Sequence, residues 1–290
     1  MTQNATRHPN LTSLRRWTAG SCLMVGALLA SCGGQSSGTN TTGGGQTNPG
    51  NGTTASLAMA GAYRGSVTYI GNPYTSDFVS FLTPEGAWYG LYFLKTSSES
   101  VYPDIYTGTV TATSTSSATI SPLKASQYGK PVTTGSATVS GSSVLSYRID
   151  LSGINLANSQ PPSFSPTAID TLTGIGGNWV GDLKDSQSLA DTGLTLGFSD
   201  AGSLTSGSSY ATCTLDLQLT PQSTTANPYY AASLKISGDA TLCGRVSRNG
   251  GNTVSMSGIG FIHAPSAGTK RLELILTDTS GSGLSFRGDQ

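Results

Sequence analysis

The segment TCTLDLQL, residues 212–219, alternates polar and apolar residues without a break. Successive side chains of a β-strand point to opposite faces, so Cys213 and the three leucines share one face and the polar residues share the other. A helix would instead repeat its apolar residues every three to four positions. The segment therefore predicts a strand that is buried on one face and wet on the other, with Cys213 on the buried side.

The same period of two recurs from residue 56 onward, whereas no stretch keeps a helical period over three turns. Turn sequences such as Pro84-Glu85-Gly86 and Asp200-Ala201-Gly202 separate the alternating segments. Further alternating runs are Leu194, Leu196 and Phe198; Leu272, Leu274 and Leu276; and Tyr147, Ile149 and Leu151. These patterns predict an all-β protein built of small antiparallel barrels or sandwiches.

One alternating segment is apolar on both faces. In WYGLYF, residues 88–93, aromatic or aliphatic side chains occupy both phases of the period. A strand at the surface of a sheet keeps one polar face, so we expect this strand to be covered on both sides.

A short motif occurs twice. Gly61-Ala62-Tyr63-Arg64-Gly65 and Gly177-Asn178-Trp179-Val180-Gly181 share the pattern G-x-aromatic-x-G and lie 116 residues apart. In each copy a turn glycine, Gly86 or Gly202, lies 21 positions beyond the last glycine of the motif. Chance matches arise in a chain with 38 glycines, but the preserved order and spacing favour duplication. We expect the aromatic residue to plug one end of a barrel and the glycines to allow a sharp strand bend.

The repeat predicts two tandem β-domains, 56–164 and 165–290, with a junction at residues 158–163. A short helix-compatible run precedes each motif, at residues 56–60 and 165–172. In the second run Ser165 stands at the N-cap position and Pro166 at the first helical position.

The beginning of the chain has the pattern of an export signal. A basic start is followed by a mostly apolar run of 14 residues, 17–30, which is too short to span a bilayer as a helix. Its end, Leu29-Ala30-Ser31-Cys32, resembles the bacterial lipoprotein signal, the lipobox. That resemblance implies a signal peptide over 1–31, cleavage before Cys32, acylation of Cys32, and anchoring in the outer membrane on either its periplasmic or its exterior face. The alternative is an ordinary cleaved signal that happens to contain a cysteine.

Residues 32–55 begin with this cysteine and continue as a Gly/Ser/Thr/Asn tether. Chains of that composition span about 5–6 Å × √n, so roughly 25–30 Å here. After the signal peptide, 12 basic and 15 acidic residues remain, a net charge of −3. Such a chain gives no electrostatic attraction to nucleic acid, so we expect no nucleic-acid partner.

Two cysteines lie in the predicted β-domains, Cys213 and Cys243. In an oxidising compartment an even pair favours a disulfide, which would close a 30-residue loop and stabilise the fold by about 3.6 kcal/mol. A metal site or a reactive thiol are the alternatives, and His263 is the one histidine beyond the signal.

The two halves, each with its G-x-aromatic-x-G motif, resemble the calycin-like and transferrin-binding-protein-like barrels of other surface lipoproteins. The resemblance covers five residues in each half. It implies a barrel fold and a binding role, and it transfers no binding residues.

Catalytic and cofactor motifs are weak. His263 could serve a serine hydrolase only with a G-x-S-x-G elbow at a strand-to-helix turn, which the sequence does not offer. We expect His263 to have an exposed or capping role. Asp182 and Asp185 are the nearest carboxylate pair for glycan hydrolysis, although a solvated turn is the favoured explanation for them. Gly258-Ile259-Gly260 begins a dinucleotide loop that His263 interrupts. We therefore expect no cofactor and no metal.

Aromatic residues concentrate between Tyr63 and Tyr106, where 11 of 22 are found. Tyr74, Tyr102 and Tyr106 lie near turn residues and are candidates for a ligand surface, although packing inside the first domain is the alternative. The sequence thus predicts a non-enzymatic, lipid-anchored envelope protein that acts as a binding or structural module for a protein or glycan. A glycan hydrolase and a calycin-like carrier of a small apolar ligand are the alternative functions.

Overall fold

A computed structural model describes residues 59–68, 75–95, 100–114, 116–127, 132–141, 145–151, 163–185, 190–207, 209–210, 212–222, 226–241, 243–247 and 250–290. Their regular structure is β-strand, apart from one 3₁₀ turn at Gly244–Val246. The predicted all-β class is confirmed. Within these ranges no helix has the length and apolar character needed to cross a bilayer.

The first sheet is an antiparallel meander. Its strands are β1 Gly61–Thr68, β2 Thr75–Leu82, β3 Ala87–Lys95, β4 Ser100–Ser114, β5 Ser117–Ser126, β6 Thr133–Gly141, β7 Leu145–Leu151, β8 Ser163–Phe164 and β9 Thr167–Ile169. Strands β1 to β7 pair in chain order. The closing segment pairs with β7 through β8 and with β1 through β9, which brings the two ends of the meander together. We call this sheet the first barrel.

The second sheet repeats this plan. Its strands are β10 Thr171–Leu172, β11 Gly177–Asp185, β12 Ala190–Phe198, β13 Leu204–Ser206, β14 Ser209–Tyr210, β15 Cys213–Gln222, β16 Tyr229–Ser237, β17 Thr253–Ser266, β18 Thr269–Thr277 and β19 Gly283–Asp289. The order is β13-β12-β11-β19-β18-β17-β16-β15-β14, and β10 pairs with β17. The last strand, β19, pairs with β11, the strand that carries the second copy of the repeated motif. A bridge between Ser203 and Gln218 brings the free edges near each other, and we call this sheet the second barrel.

The repeated motif has the same structure in both barrels. The Tyr63 hydroxyl donates to the Met59 carbonyl at 2.8 Å, and the Trp179 indole N–H donates to the Ile175 carbonyl at 2.8 Å. Both aromatic side chains are buried, as expected for residues that fill a barrel. The two donors lie 116 residues apart, as do the two acceptors, so the same hydrogen bond recurs at the spacing of the motif.

The hairpin turns repeat as well. The N–H of Gly86 donates to Thr83, and the N–H of Gly202 donates to Ser199, at 3.0 and 2.9 Å. The two glycines have φ angles of 89° and 83°, a region that L-residues with side chains avoid, so glycine is required in both turns.

Each barrel is filled by its own apolar cluster. The alternating leucines of β15 and β18 point into the second barrel, as the sequence predicted. The first barrel is filled by side chains that include Tyr63, Phe78 and Trp88. Because these side chains occupy the barrel interiors, the structure lends no support to a calycin-like internal ligand site.

A third apolar cluster joins the outer faces of the two barrels. It contains Ala62, Val79, Phe81, Leu91, Phe93 and Ile105 from the first barrel and Tyr229, Ile259, Phe261 and Ile275 from the second. Strand β3 is consequently buried on both faces, which confirms the prediction for residues 88–93. The two sheets belong to one compact unit.

The changeover between sheets falls between Ile169 and Thr171, a few residues beyond the predicted boundary at 164/165. The helix-compatible run over residues 165–172 forms no helix and instead contains β9 and β10. Its residues pair with β1 and β17, so sheet closure outweighs the local helix signals.

Cys213 and Cys243 form the predicted disulfide, with 5.6 Å between their Cα atoms. Both are buried, and the bridge ties the beginning of β15 to the residue before the 3₁₀ turn. The lipobox with Cys32, the tether and Tyr74 lie outside the described residues.

Candidate functional site

A cleft opens between the two barrels. It has a volume of about 340 Å³, at the lower end of the range for small-molecule sites. Its lining residues are Ala87, Trp88, Tyr89, Thr107, Gly108, Thr109, Pro122, Lys124, Ser257 and Thr277. Eight of these belong to β3, β4 and β5 of the first barrel, and two belong to β17 and β18 of the second.

The first-barrel wall of the cleft is a row of side chains across three strands. Tyr89 on β3 pairs in register with Thr107 on β4, and Thr107 pairs with Lys124 on β5. Directly paired residues have side chains on the same face, so an aromatic ring, a hydroxyl and an ammonium stand side by side. Lys124 is exposed, whereas Tyr89 and Thr107 are half-buried.

The second-barrel wall of the cleft is a hydroxyl pair. Ser257 on β17 lies opposite Thr277 on β18. Ser257 is exposed, and its row continues through Ser233 on β16 to Gln218 on β15. The cleft therefore lies between two polar rows, one on each barrel.

The position of the cleft follows from the patterns of β3 and β17. On the outer face of β17, Ser257 is followed by Ile259 and Phe261, which are buried in the inter-barrel cluster. On β3 the half-buried Tyr89 precedes the buried Leu91 on the same face. On β17 the outer face changes from polar to apolar after Ser257, and on β3 the half-buried Tyr89 packs at the edge of the same apolar cluster. The barrels touch beyond this border and separate before it.

A chain of ion pairs lies along another part of the inter-barrel contact. Arg287 on β19 donates from Nε to Glu273 on β18 and from Nη1 to Asp77 on β2, at 2.8 and 2.7 Å. Asp77 also pairs with Arg64 at 3.3 Å. On the other side of Glu273, the Nε2 atom of His263 lies 3.4 Å from the carboxylate. The network thus links both barrels through Arg287.

Burial makes this network electrostatically strong. Burial by itself would raise the pKa of Glu273, but the charge of Arg287 and the hydrogen bond with His263 outweigh it and hold that pKa below its usual range. Burial by itself would lower the pKa of Arg287, but Glu273 and Asp77 raise it. The Arg287 guanidinium also lies 3.8 Å from the centre of the Phe93 ring, a cation–π contact with the first barrel.

Hydrogen bonds also join the two barrels at another edge of the inter-barrel apolar cluster. The Tyr229 hydroxyl donates to Glu85 at 3.0 Å, and the Asn227 amide donates to the Ala60 carbonyl at 3.1 Å. Burial, followed by the contact with Glu85, raises the pKa of Tyr229. Ionic, apolar and hydrogen-bonded contacts together hold the two walls of the cleft in place.

The structure corrects the expected ligand surface at Tyr106. Its side chain is 5% exposed and packs in the first barrel, with its ring centroid 6.4 Å from that of Trp88. Tyr102 lies on β4, but its side chain is outside the described set, as is the whole of Tyr74. The tyrosine that does line the cleft is Tyr89, which the sequence placed on a covered strand.

His263 is not exposed, contrary to the expectation from sequence. It is 1% exposed and lies within the ion network described above. Phe261, two residues before it on the same face of β17, is part of the inter-barrel cluster. This burial separates His263 from solvent.

The two candidate hydrolytic carboxylates have unlike surroundings. Asp182 pairs with Lys184 at 3.2 Å and its side chain is 42% exposed, whereas Asp185 is fully buried. A glycosidase pair must reach one substrate from both sides, so this arrangement does not favour that role. Among the residues that the structure describes, no group of three or more His, Cys, Asp or Glu side chains is placed to hold a metal ion.

Sequence reasoning missed the cleft residues Lys124, Ser257 and Thr277. Each is a polar residue on an ordinary alternating strand, and nothing in the local pattern distinguishes it. The usable signal was the doubly apolar segment 88–93, which indicated that another surface covers β3.

Comparisons with family models, with curated proteins and with solved structures each find no match to this chain.

Proposed function

We propose that this protein is a lipid-anchored envelope protein that binds a glycan, without turning it over, in the cleft between its two barrels. The observation that carries the proposal is the lining of the cleft, where the Tyr89 ring stands among the hydroxyls of Thr107, Thr109, Ser257 and Thr277. The sequence left protein and glycan open as ligands, and this lining favours the glycan.

Sugars present two surfaces, a fringe of hydroxyls and a patch of C–H groups. Serine and threonine hydroxyls both donate and accept hydrogen bonds, so they match a hydroxyl fringe without needing one fixed orientation. A tyrosine ring offers an apolar face to the C–H patch and a polar tip to solvent. The cleft supplies both kinds of surface within one cavity of about 340 Å³.

Binding without turnover is proposed because of the chemistry of the lining residues. Hydrolysis of a glycosidic bond uses a pair of carboxyl groups at the scissile bond. The residues that line the cleft offer hydroxyls, one ring hydroxyl and one ammonium. These groups hold a sugar but do not supply that pair.

The envelope location rests on the N-terminal segment. An acylated Cys32 would insert in the outer membrane, and residues 33–55 would act as a tether that lets the barrels stand off by roughly 25–30 Å. The Cys213–Cys243 disulfide suits an oxidising compartment outside the cytoplasm. A tethered barrel pair with a cleft can capture a glycan near the membrane that carries it.

The glycan proposal is tested with the mature chain on an array of oligosaccharides, followed by titration of the strongest hit. Ser257→Trp places a large ring in the cleft and should abolish binding. The matched control is Ser255→Trp, which lies on the same outer face of β17, is equally exposed and does not line the cleft. Wild-type binding that survives Ser257→Trp, or an array without any hit, would overturn the proposal.

The anchor has its own test. Cys32→Ala should move the protein from the membrane pellet to the soluble fraction, and intact-mass measurement of the wild type should show acyl chains on the mature N-terminus. A pelleted variant, or a wild type with an unmodified N-terminus, would contradict the anchor.

A further inference from the structure

The charge of the cleft leads to the class of glycan. Its lining contains one ionised side chain, the ammonium of Lys124, and no carboxylate. The ion pairs between residues that the structure describes do not include Lys124. Its charge is thus available to a ligand, in contrast to the charge of Arg287, which Glu273 and Asp77 balance.

We propose that the cleft selects an acidic glycan, in which a uronic-acid carboxylate pairs with Lys124 while a sugar ring packs on Tyr89. This inference rests on the proposed function and names the chemical class of its ligand. It concerns selectivity, so it can fail while glycan binding itself holds.

The register supports simultaneous contacts with one ligand. Tyr89 and Lys124 are separated by a single residue, Thr107, in a row across three strands. Adjacent strands lie about 4.8 Å apart, so the two backbone positions are roughly 10 Å apart. A short oligosaccharide can lie along this row with a ring over Tyr89 and a carboxylate at the Lys124 end.

The opposite wall adds hydrogen bonds rather than charge. Ser257 and Thr277 face the row from the second barrel, and both are neutral. A carboxylate that enters the cleft therefore meets one cation and several hydroxyl donors, and no acidic lining residue repels it. Residues 32–290 carry a net charge of −3, so the chain as a whole does not attract an acidic ligand. The attraction must come from the local charge of Lys124.

An acidic peptide is the other ligand that a lone lysine could attract. The hydroxyls and the aromatic ring around Lys124 can contact the hydroxyls and C–H groups of a sugar ring. A run of carboxylates offers neither of these groups. The geometry therefore favours the uronic acid.

The test uses matched pairs of ligands. Short oligomers of galacturonic, mannuronic and glucuronic acid are each titrated beside their carboxyl-reduced counterparts, which keep size and linkage but lose the charge. We expect at least one acidic oligomer to bind about two- to fivefold more tightly than its reduced partner, which is the range for an ion pair with an exposed lysine. Lys124→Gln should remove that difference, and binding of the acidic oligomer should weaken as salt increases.

Lys235→Gln is the matched control, because Lys235 is an exposed lysine on β16 that does not line the cleft. This variant should retain the full acidic preference. Equal binding of acidic and reduced oligomers by the wild type would overturn the acidic inference and leave glycan binding intact. Binding of oligoglutamate in place of every uronic oligomer would overturn it in favour of a protein ligand, and no binding of any oligosaccharide would overturn the proposed function as well.

Discussion

Arg287 on the last strand of the second barrel and Asp77 on the second strand of the first barrel form an ion pair of 2.7 Å. The two residues lie 210 positions apart in the sequence, and the pair joins the two barrels. The barrels are thereby joined by ionic contacts as well as by the apolar cluster. The cleft depends on this joint, because its two walls belong to different barrels.

Asp77→Asn should weaken the joint. The change removes the charge that faces Arg287 from the first barrel and leaves Glu273 as the remaining carboxylate partner. We expect unfolding in urea to become easier by about 1.5–3 kcal/mol, as for a hydrogen bond to a charged group. Asp289→Asn is the control. Arg271 holds Asp289 through two hydrogen bonds, but this pair is more exposed and lies within the second barrel, so the change should cost less than Asp77→Asn and leave the contact between the barrels intact. Equal losses for the two variants would contradict the special role of Arg287 and Asp77.

Acid should destabilise the protein through Glu273. Because its pKa in the folded state is lowered, the stabilisation is complete above the usual glutamate pKa of about 4.3 and is lost as pH falls through the lower folded value. The melting temperature should therefore stay level from pH 7 to about 5 and fall below about 4. Glu273→Gln should melt lower at pH 7 and lose less on acidification. A variant with the same acid-induced drop as the wild type would show that other groups cause it.

Gly283→Ala should strain the inter-barrel contact. A Cβ atom at Gly283 would lie 2.6 Å from Cδ1 of Ile105 across the two barrels. We expect a loss of about 1–3 kcal/mol from overpacking, measured by thermal or urea unfolding. Ile105→Val removes the nearest colliding atom, so adding it to Gly283→Ala should recover part of the loss. If the double variant lost as much stability as the two single variants together, the strain would not arise from the contact between residues 283 and 105.

Tyr63→Phe should break the repeated hydrogen bond in the first barrel. The Met59 carbonyl would lose its donor inside the core, at a cost of about 1–3 kcal/mol in unfolding free energy. Trp179→Phe is the equivalent change in the second barrel and should cost more, because it also leaves a cavity. An unchanged stability for Tyr63→Phe would show that the matched hydrogen bonds do not stabilise the two barrels alike.

Cys213→Ser should lower stability by about 3.6 kcal/mol, the chain-entropy value for its 30-residue loop. The double variant Cys213→Ser with Cys243→Ser should lose about as much as the single one, since either change removes the same bridge. Calorimetry of both variants checks this. A double variant with twice the loss would mean that the two sites act independently.

The alternation of single segments predicted much of the fold. Leu215, Leu217 and Leu219 point into the second barrel because a period of two is a property of each strand alone. The G-x-aromatic-x-G motif also predicted burial of Tyr63 and Trp179. These features depend on residues close in sequence, so they are visible without knowledge of the rest of the chain.

The candidate site depended on how the barrels meet. Lys124 and Ser257 line one cleft although 133 residues separate them, and no local pattern states which outer faces dock. His263, which looked exposed in sequence, is buried beside Glu273, a contact that local sequence does not reveal. The helix signals at Ser165 and Pro166 failed for a related reason, since closure of the sheets decides the structure of residues 165–172.

Backbone-amide NMR of the mature protein, titrated with the best glycan from the array, tests the cleft as the binding site. We expect shift changes on both barrels, at Tyr89, Thr107 and Lys124 on one side and at Ser257 and Thr277 on the other. Changes confined to one barrel, or located away from these residues, would contradict a ligand site between the two halves.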